Sequence, residues 1–165
     1  MIKKLLVAID GSQPAVKVLD FALDIAEKYA SDVQIVSVVP PADSVIPKVT
    51  PATPPTEFYN IFINEVEKRL KSVLSEAFEN AKKKNPALKV STRLLTGRPA
   101  EKIVQTAKDE NFDMIVIGSR GLGGVEEIIL GSVSDRVADT ATCPVLIVKY
   151  KYRIEIQNAE KKGEG

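Results

Sequence analysis

Continuous aliphatic runs alternate along the chain with segments whose apolar residues recur at helical spacing. Residues 2–9 become solidly aliphatic without polar alternation, which is typical of a strand that is buried on both faces. Residues 33–39 form a second such run. Between the two runs, apolar residues recur at Ala15, Val18, Leu19, Ala22, Ile25, Ala26 and Tyr29. This order predicts a βαβ unit with parallel strands and a right-handed crossover, in which Ser12 caps the helix.

More strands and helices are predicted further along the chain. Strands are predicted at residues 90–95, 114–118 and 145–148. A long helix is predicted at residues 58–84, with Ile61, Leu70, Leu74 and Ala81 on its apolar face. After Gly97 and Pro99, a second helix turns Ile103, Val104 and Ala107 inward. A third, over residues 133–142, turns Val133, Val137, Ala138 and Ala141 inward.

This alternation of strands and helices predicts one open α/β sheet with helices on both faces. Residues 90–95 alternate apolar and polar side chains most clearly, so we expect this strand near an edge of the sheet. In such sheets, ligands bind beyond the carboxyl ends of the strands, where the strand order reverses. Asp10 follows the first strand and a glycine-rich loop follows the fourth, but periodicity alone does not show whether these strands are neighbours.

Two segments depart from the alternation. Residues 40–57 hold six of the ten prolines, so we predict a long loop that is either a lid, a contact surface or a passive insertion. Residues 150–157 alternate apolar and polar side chains at the period of a strand. We expect this extension to pair with a second copy of the chain and form a homodimer. Residues 158–165 are charged and are predicted to be disordered.

The composition limits the classes of partner. The 165 residues are 44% apolar, which fits one globular domain. Acidic and basic residues number 22 and 23, so neither a nucleic-acid groove nor a membrane surface is expected. The first apolar run is too short for a signal peptide, and no stretch has the length of a membrane span. We therefore expect a cytoplasmic protein with small-molecule or protein partners.

The reactive side chains are few. The chain has no histidine, so an enzyme of this sequence would use carboxylates, hydroxyls or bound Mg²⁺. The one cysteine, Cys143, precedes a proline at the start of an aliphatic strand and is predicted to be a small buried residue without a redox role. A single cysteine also forms no internal disulfide, which agrees with a reducing compartment.

A strand, a glycine-rich loop and a helix start follow one another between residues 114 and 134. The spacing is G-x2-G-x9-G-S, formed by Gly118, Gly121 and Gly131-Ser132. Glycine allows the main chain to approach a ligand closely, and a helix start offers unpaired N–H groups with partial positive charge. Together these features predict an anion cradle. A glycine-rich turn that only aids packing is the alternative.

Neither the P-loop nor the dinucleotide-binding fingerprint matches this loop. A P-loop requires lysine followed by serine or threonine after its last glycine, whereas Val133 follows Gly131-Ser132. The dinucleotide-binding fingerprint belongs at the first βα turn, which here contains Asp10-Gly11-Ser12. From the residues alone, Asp10 is equally a candidate for metal contact and for a turn or helix cap.

The chain resembles the universal stress protein family in four segments, which are AIDGS, GRPAEKI, GSRGLGGVEEIILGSVSDRV and CPVLIVK. The resemblance covers residues 1–149, and the glycine spacing is similar to that of the family branch that binds ATP. It implies a three-layer, adenine nucleotide alpha hydrolase-like fold, in which five parallel strands have the order 3-2-1-4-5. In this order the first and fourth strands are neighbours, which would bring Asp10 beside the glycine loop.

The resemblance also implies a set of contacts with ATP, ADP or AMP. These positions are Ala8, Ile9, Asp10, Val38, Ile117, Gly118, Ser119, Arg120, Gly121, Gly131, Ser132, Val133 and Ser134. Asp10 would lie by the ribose and phosphates and help to hold Mg²⁺ or Mn²⁺. The main chain of Val38 would meet the adenine edge, and Ile117 would line the base pocket. Residues 118–121 would surround the ribose and phosphate, while residues 131–134 would bind phosphate through N–H groups and hydroxyls.

Three functions are compatible with these expectations. The first is an ATP-binding regulatory module in the stress response, which acts as a homodimer on a protein partner that the sequence does not identify. The second is a slow Mg²⁺-dependent ATPase or phosphotransferase that uses Asp10. The third is a dimerisation module with a vestigial nucleotide pocket. The regulatory module is preferred because no residue stands out as one that would orient an attacking water or acceptor hydroxyl.

Overall fold

Five parallel strands form one sheet in the order β3-β2-β1-β4-β5. The computed structural model describes residues 1–41, 44, 56–119 and 130–149. The strands are β1 (Lys4–Ala8), β2 (Asp32–Val39), β3 (Val90–Thr96), β4 (Met114–Gly118) and β5 (Val145–Val148). The predicted fold class and strand order are confirmed, and β3 lies at an edge as its alternation predicted.

Four helices cover the two faces of this sheet in the described part of the chain. They are α1 (Gln13–Tyr29), α2 (Thr56–Lys84), α3 (Pro99–Asp109) and α4 (Ser132–Thr140). Helices α1 and α2 pack on one face, and α3 and α4 pack on the other. None of the helices in the described residues is long and apolar enough to cross a lipid bilayer.

The uninterrupted aliphatic character of β1 follows from burial on both faces. Leu5 and Val7 belong to the core beneath α1 and α2, whereas Leu6 and Ala8 belong to the core beneath α3 and α4. Successive side chains of a strand point to opposite faces, so both sets must be apolar. Ile115 of β4 is likewise fully buried in the second core.

Three predicted inward positions are wrong. Tyr29, the last residue of α1, is 44% exposed, and Ile61 of α2 is 65% exposed. Ile61 precedes the part of α2 that packs on the sheet, where burial begins at Leu70. Ala138 of α4 is exposed, and the buried positions of this short helix are Ser134 and Val137.

Several predicted element ends also shift. β1 begins at Lys4, so the first two residues of the predicted strand lie outside it. Thr56 and Glu57, predicted as loop, begin α2. α4 ends two residues earlier than predicted, at Thr140. The remaining predicted loop residues 42–43 and 45–55, together with the predicted extension and tail, 150–165, lie outside the described residues.

Cys143 is half-buried against the second core, where it contacts the side of the sheet that α3 and α4 cover. Burial raises the pKa of its thiol, since desolvation disfavours the charged thiolate. A thiol with a raised pKa is a poor nucleophile, which agrees with the predicted packing role.

The Asp113 carboxylate ties the amino end of β4 to that of β1. Its Oδ2 atom accepts the main-chain N–H groups of Lys3 at 2.7 Å and Lys4 at 2.9 Å. These two hydrogen bonds favour the charged form and lower the pKa of Asp113 below its ordinary value.

Replacement of this carboxylate is expected to have a pH-dependent effect on stability. Because the folded-state pKa of Asp113 is lowered, its stabilisation is present above the unfolded-state pKa and is lost as the pH falls through the folded-state value. Asp113→Asn should therefore lower the free energy of unfolding at neutral pH, and its difference from wild type should shrink below about pH 4. Urea unfolding over a series of pH values measures this difference.

The control for this experiment is Glu79→Gln, which changes an exposed carboxylate near the C-terminal end of α2. It should leave the pH profile close to that of the wild type. A difference between Asp113→Asn and wild type that stays constant down to about pH 3 would contradict the assignment.

Candidate functional site

The carboxyl ends of β1 and β4 lie side by side in the sheet. Ala8 at the end of β1 pairs with Ile117 of β4. Asp10 therefore lies just beyond the end of β1, while Gly118 ends β4 and Ser119 follows it. The sheet order reverses at this point, which is where open α/β sheets bind ligands. The structure thus confirms that the two strands are neighbours.

Main-chain hydrogen bonds join Ser119, the residue after β4, to Gly131 and to the end of β5. The Gly131 N–H donates to the Ser119 carbonyl at 2.7 Å, and the Ser119 N–H donates to the Val148 carbonyl at 3.0 Å. The Ser134 hydroxyl lies 2.9 Å from both the Ser119 and the Gly131 carbonyl oxygens, to which it can donate. These contacts place the start of α4 directly beside the end of β4.

The first amides of α4 are available for a ligand. Gly131 occupies the N-cap position with an extended main chain, and the first helical hydrogen bond runs from the Asp135 N–H to the Gly131 carbonyl at 2.9 Å. The N–H groups of Ser132, Val133 and Ser134 precede this bond and have no main-chain acceptor within the described residues. They carry the partial positive charge of the helix start, which favours an anion.

Asp10 lies in the tight turn between β1 and α1. One of its carboxylate oxygens accepts the Ser12 N–H at 3.0 Å, which is the geometry of an Asx turn. Gly11 has a φ of 78°, and a Cβ atom there would lie 2.6 Å from a methyl group of Val73. The turn role of Asp10 is therefore observed, and the same turn directs the chain along the carboxyl edge of the sheet.

Ser12 is the N-cap residue of α1, as predicted, but its side chain makes no capping hydrogen bond. The Ser12 main-chain carbonyl instead accepts the Ala15 N–H at 3.0 Å. Within the part of the chain that the structure describes, the buried Ser12 Oγ has no hydrogen-bond partner. This orphaned polar atom sits next to Asp10, at the edge where a polar ligand is expected.

Ser37 was not among the predicted site residues, but it lies at this edge. Ser37 is 1% exposed, and its hydroxyl donates to the Ile9 carbonyl at 2.8 Å. The available signal was a single serine within the aliphatic run of β2. Its acceptor lies 28 residues earlier in the chain, so the spacing gave no indication of the contact.

The remaining predicted site residues differ in what they can offer a ligand. The side chains of Ala8, Ile9 and Ile117 are buried in the two cores, so their main chains are the parts that face the edge. Val38 is partly buried against the second core, at the carboxyl end of β2. Arg120 and Gly121, predicted to contact ribose and phosphate, lie outside the described residues.

A metal site formed by protein side chains alone is not found in the described ranges. They contain no cluster of three or more histidine, cysteine, aspartate or glutamate residues that could hold an ion. Asp10 remains a predicted ligand only for an ion whose other ligands come from phosphate and water.

The chain is similar to known proteins over most of its length. A model of the universal stress protein family matches residues 1–149. The universal stress protein YxiE of Bacillus subtilis is 38% identical over 150 residues, which cover 90% of this chain and 100% of that protein.

Two solved structures are also similar. Protein MJ0577 of Methanocaldococcus jannaschii is 31% identical with a TM-score of 0.70, over 92% of this chain and 98% of that chain. A universal stress protein of Archaeoglobus fulgidus in complex with dAMP is 26% identical with a TM-score of 0.64, over 90% of this chain and 100% of that chain.

The turn at Gly11 is expected to tolerate no side chain. Gly11→Ala should lower the free energy of unfolding by about 2 to 4 kcal/mol, because positive φ and contact with Val73 both oppose a Cβ atom. Adding Val73→Ala should relieve the steric contact with the new Cβ atom and so recover that share of the lost stability. The share caused by the positive φ of residue 11 should remain. Urea unfolding of the wild type, both single variants and the double variant measures the coupling. Equal costs of Val73→Ala in the two backgrounds would contradict the contact.

Proposed function

The chain belongs to the universal stress protein family, and on this basis we propose that it binds ATP at the carboxyl edge of its sheet. Occupancy of this site makes the protein a nucleotide-dependent regulatory module of the stress response, which acts as a homodimer on a protein partner. The observation that carries the proposal is the position of the open amides of α4 beside the strand end that leads to Asp10.

The start of α4 supplies the phosphate contacts. Three adjacent N–H groups, from Ser132 to Ser134, have no main-chain acceptor in the described residues. Their orientation is fixed because the Ser119 carbonyl accepts hydrogen bonds from the Gly131 N–H and the Ser134 hydroxyl. A hydrogen bond to a charged group contributes about 1.5 to 3 kcal/mol. Three such bonds supply a large part of the roughly 8 kcal/mol that micromolar binding requires. Because these donors are main-chain groups, they need no lysine of the P-loop type.

The donor set also fits a divalent cation that arrives with the nucleotide. Mg²⁺ prefers oxygen ligands, retains several waters and is commonly held by one or two carboxylates together with phosphates. Asp10 offers one carboxylate group at the edge where the phosphates would lie. When bound, the ion would neutralise part of the triphosphate charge. The role of Asp10 is to hold the ion close to the β1 end of the site.

The relative from Archaeoglobus fulgidus in complex with dAMP supports an adenine nucleotide as the ligand class. The extension from a monophosphate to ATP rests on the resemblance of the glycine spacing to the ATP-binding branch of the family. Twelve residues, 120–131, separate Ser119 from Ser132, the first residue of α4, and four of the twelve are glycines. The length and glycine content of this segment suit a main chain that surrounds several phosphate groups.

The exposed edge of β5 is the proposed dimer surface. β5 pairs with β4 on one side and is the last strand of the sheet among the described residues, and all four of its residues are only half-buried. An aliphatic edge strand of this kind favours pairing with another strand. The strand-like pattern of residues 150–157 continues directly from β5, so a second copy of the chain is the proposed partner.

The site itself is tested by Gly131→Val. The main chain at Gly131 has a φ of −65°, which valine can adopt, so the variant should fold. An isopropyl group beside the first amides of α4 should obstruct a phosphate. We expect saturating ATP to raise the melting temperature of the wild type and to leave that of Gly131→Val unchanged. The control is Ala138→Val, which places the same valine side chain at an exposed position of α4 and should retain the ATP response.

The same protein samples separate the regulatory function from its rivals. Bound ATP that survives incubation with Mg²⁺ supports the regulatory module, whereas prompt conversion to ADP supports a slow ATPase. Wild-type ATP affinity in Gly131→Val would contradict the phosphate site. No response of the wild type to ATP would contradict the proposed function and leave a dimerisation module with a vestigial pocket.

The dimer surface is tested by truncation after Val148. This variant keeps β5 and removes the predicted strand extension, so light scattering should give the mass of a monomer or a lowered dimer fraction. Truncation after Gln157 is the control, because it removes only the predicted disordered tail and should leave the mass of a dimer. An unchanged dimer in the shorter variant would contradict pairing through the extension.

A further inference from the structure

One buried hydroxyl interrupts the pairing of β1 with β2 at the edge where the nucleotide is proposed to bind. Ser37 is among the least exposed residues of the sheet, at 1%, and its hydroxyl donates to the Ile9 carbonyl at 2.8 Å. Ile9 is the first residue after β1. The Ile9 carbonyl, which would accept the next main-chain hydrogen bond between β1 and β2, is therefore bonded to the Ser37 side chain.

The register shows which hydrogen bond the hydroxyl replaces. Even-numbered residues of β2 direct their main-chain groups toward β1. The Asp32 N–H donates to the Lys3 carbonyl at 2.8 Å, and the Val36 carbonyl accepts the Ile9 N–H at 3.0 Å. In a regular parallel ladder, the next bond would run from the Val38 N–H to the Ile9 carbonyl. Among the described residues the pairing of these strands instead ends at Ala8 and Val36.

The main-chain groups of Val38 consequently face the space beyond the end of β1. Neighbouring groups on the other side of β2 are already used, because the Val39 carbonyl accepts the Gly97 N–H at 2.9 Å. The side chain of Val38 packs against the second core, which fixes the orientation of its N–H and carbonyl. The result is one donor and one acceptor, held rigidly and pointing in the same direction.

We propose that Ser37 is a positioning residue for base recognition: by occupying the Ile9 carbonyl, it keeps the Val38 N–H open for the edge of adenine. This role rests on the proposed function, since it assumes a nucleotide at this edge. Adenine presents an amine donor beside a ring-nitrogen acceptor, and the Val38 carbonyl and N–H complement this pair. Hypoxanthine presents a carbonyl acceptor beside a ring N–H donor, so it opposes both groups of Val38.

Without the Ser37 hydroxyl, β1 and β2 should form one further main-chain hydrogen bond, from the Val38 N–H to the Ile9 carbonyl. In Ser37→Ala the Ile9 carbonyl loses its donor and lies next to the Val38 N–H, which is the regular partner in a parallel pair. In the protein without nucleotide, hydrogen exchange of the Val38 amide should then be markedly slower in Ser37→Ala than in the wild type. This readout does not depend on ligand binding.

The same variant should lose base specificity. We expect Ser37→Ala to bind ATP about fivefold to tenfold more weakly, which corresponds to one hydrogen bond, and to bind inosine triphosphate about as well as the wild type does. The ratio of the two affinities should fall accordingly. A general weakening of the fold would reduce both affinities together, so the ratio separates positioning from stability.

Two further variants serve as controls. Ser31→Ala removes a matched hydrogen bond, because Ser31 is 2% exposed and its hydroxyl donates to the Ile2 carbonyl at 2.7 Å, at the opposite end of the same pair of strands. It should leave Val38 exchange and the affinity ratio unchanged. Ser37→Thr keeps a hydroxyl at the position and should preserve the fast exchange of the Val38 amide and the preference for ATP.

The exchange and binding results decide different parts of the proposal. Slow exchange of the Val38 amide in the unliganded wild type, or no change in Ser37→Ala, would overturn the positioning role. Equal losses for ATP and inosine triphosphate in Ser37→Ala would overturn the recognition of adenine. A wild type that binds neither nucleotide would overturn the proposed function and the base recognition with it, while the exchange rates would still decide whether Ser37 holds the ladder open.

Discussion

The pairing of β1 with β4 is the contact on which the site depends. These strands are far apart in sequence, and their register places Ala8 opposite Ile117. The turn at Asp10 and the start of α4 therefore lie at the same edge of the sheet. The β1 strand is buried on both faces, so a one-residue shift of this register would move side chains between the two cores. Core packing therefore fixes the geometry of a polar site that lies outside the core.

The sheet could be predicted because its central strands are apolar on both faces. An aliphatic run such as Leu5 to Ala8 has no polar face, so it must be covered on both sides by helices. The strand order came from the resemblance to a family, since periodicity contains no information about which strands are neighbours. Periodicity also failed at Tyr29 and Ile61, because it shows which residues share a helical face and does not show how far the neighbouring elements extend.

The polar contacts of the site were less predictable for a related reason. Ser134 was expected to offer its hydroxyl to phosphate, whereas in the structure that hydroxyl can donate to the carbonyls of Ser119 and Gly131. Ser37 contacts a carbonyl 28 residues away. In both cases the serine holds the main chain in place, and the main-chain N–H groups remain for a ligand. A short hydroxyl gives no sequence signal for its acceptor, because that acceptor is a carbonyl that every residue type provides.

A titration of ¹⁵N-labelled protein with ATP, followed by amide chemical shifts, tests the central claim most directly. The account predicts that the largest shift changes occur at Val38 and at Ser132, Val133 and Ser134, with the amides of Lys4 and Asp32 at the opposite edge unchanged. Shift changes confined to the opposite edge of the sheet, or absent from the start of α4 at saturating ATP, would contradict it.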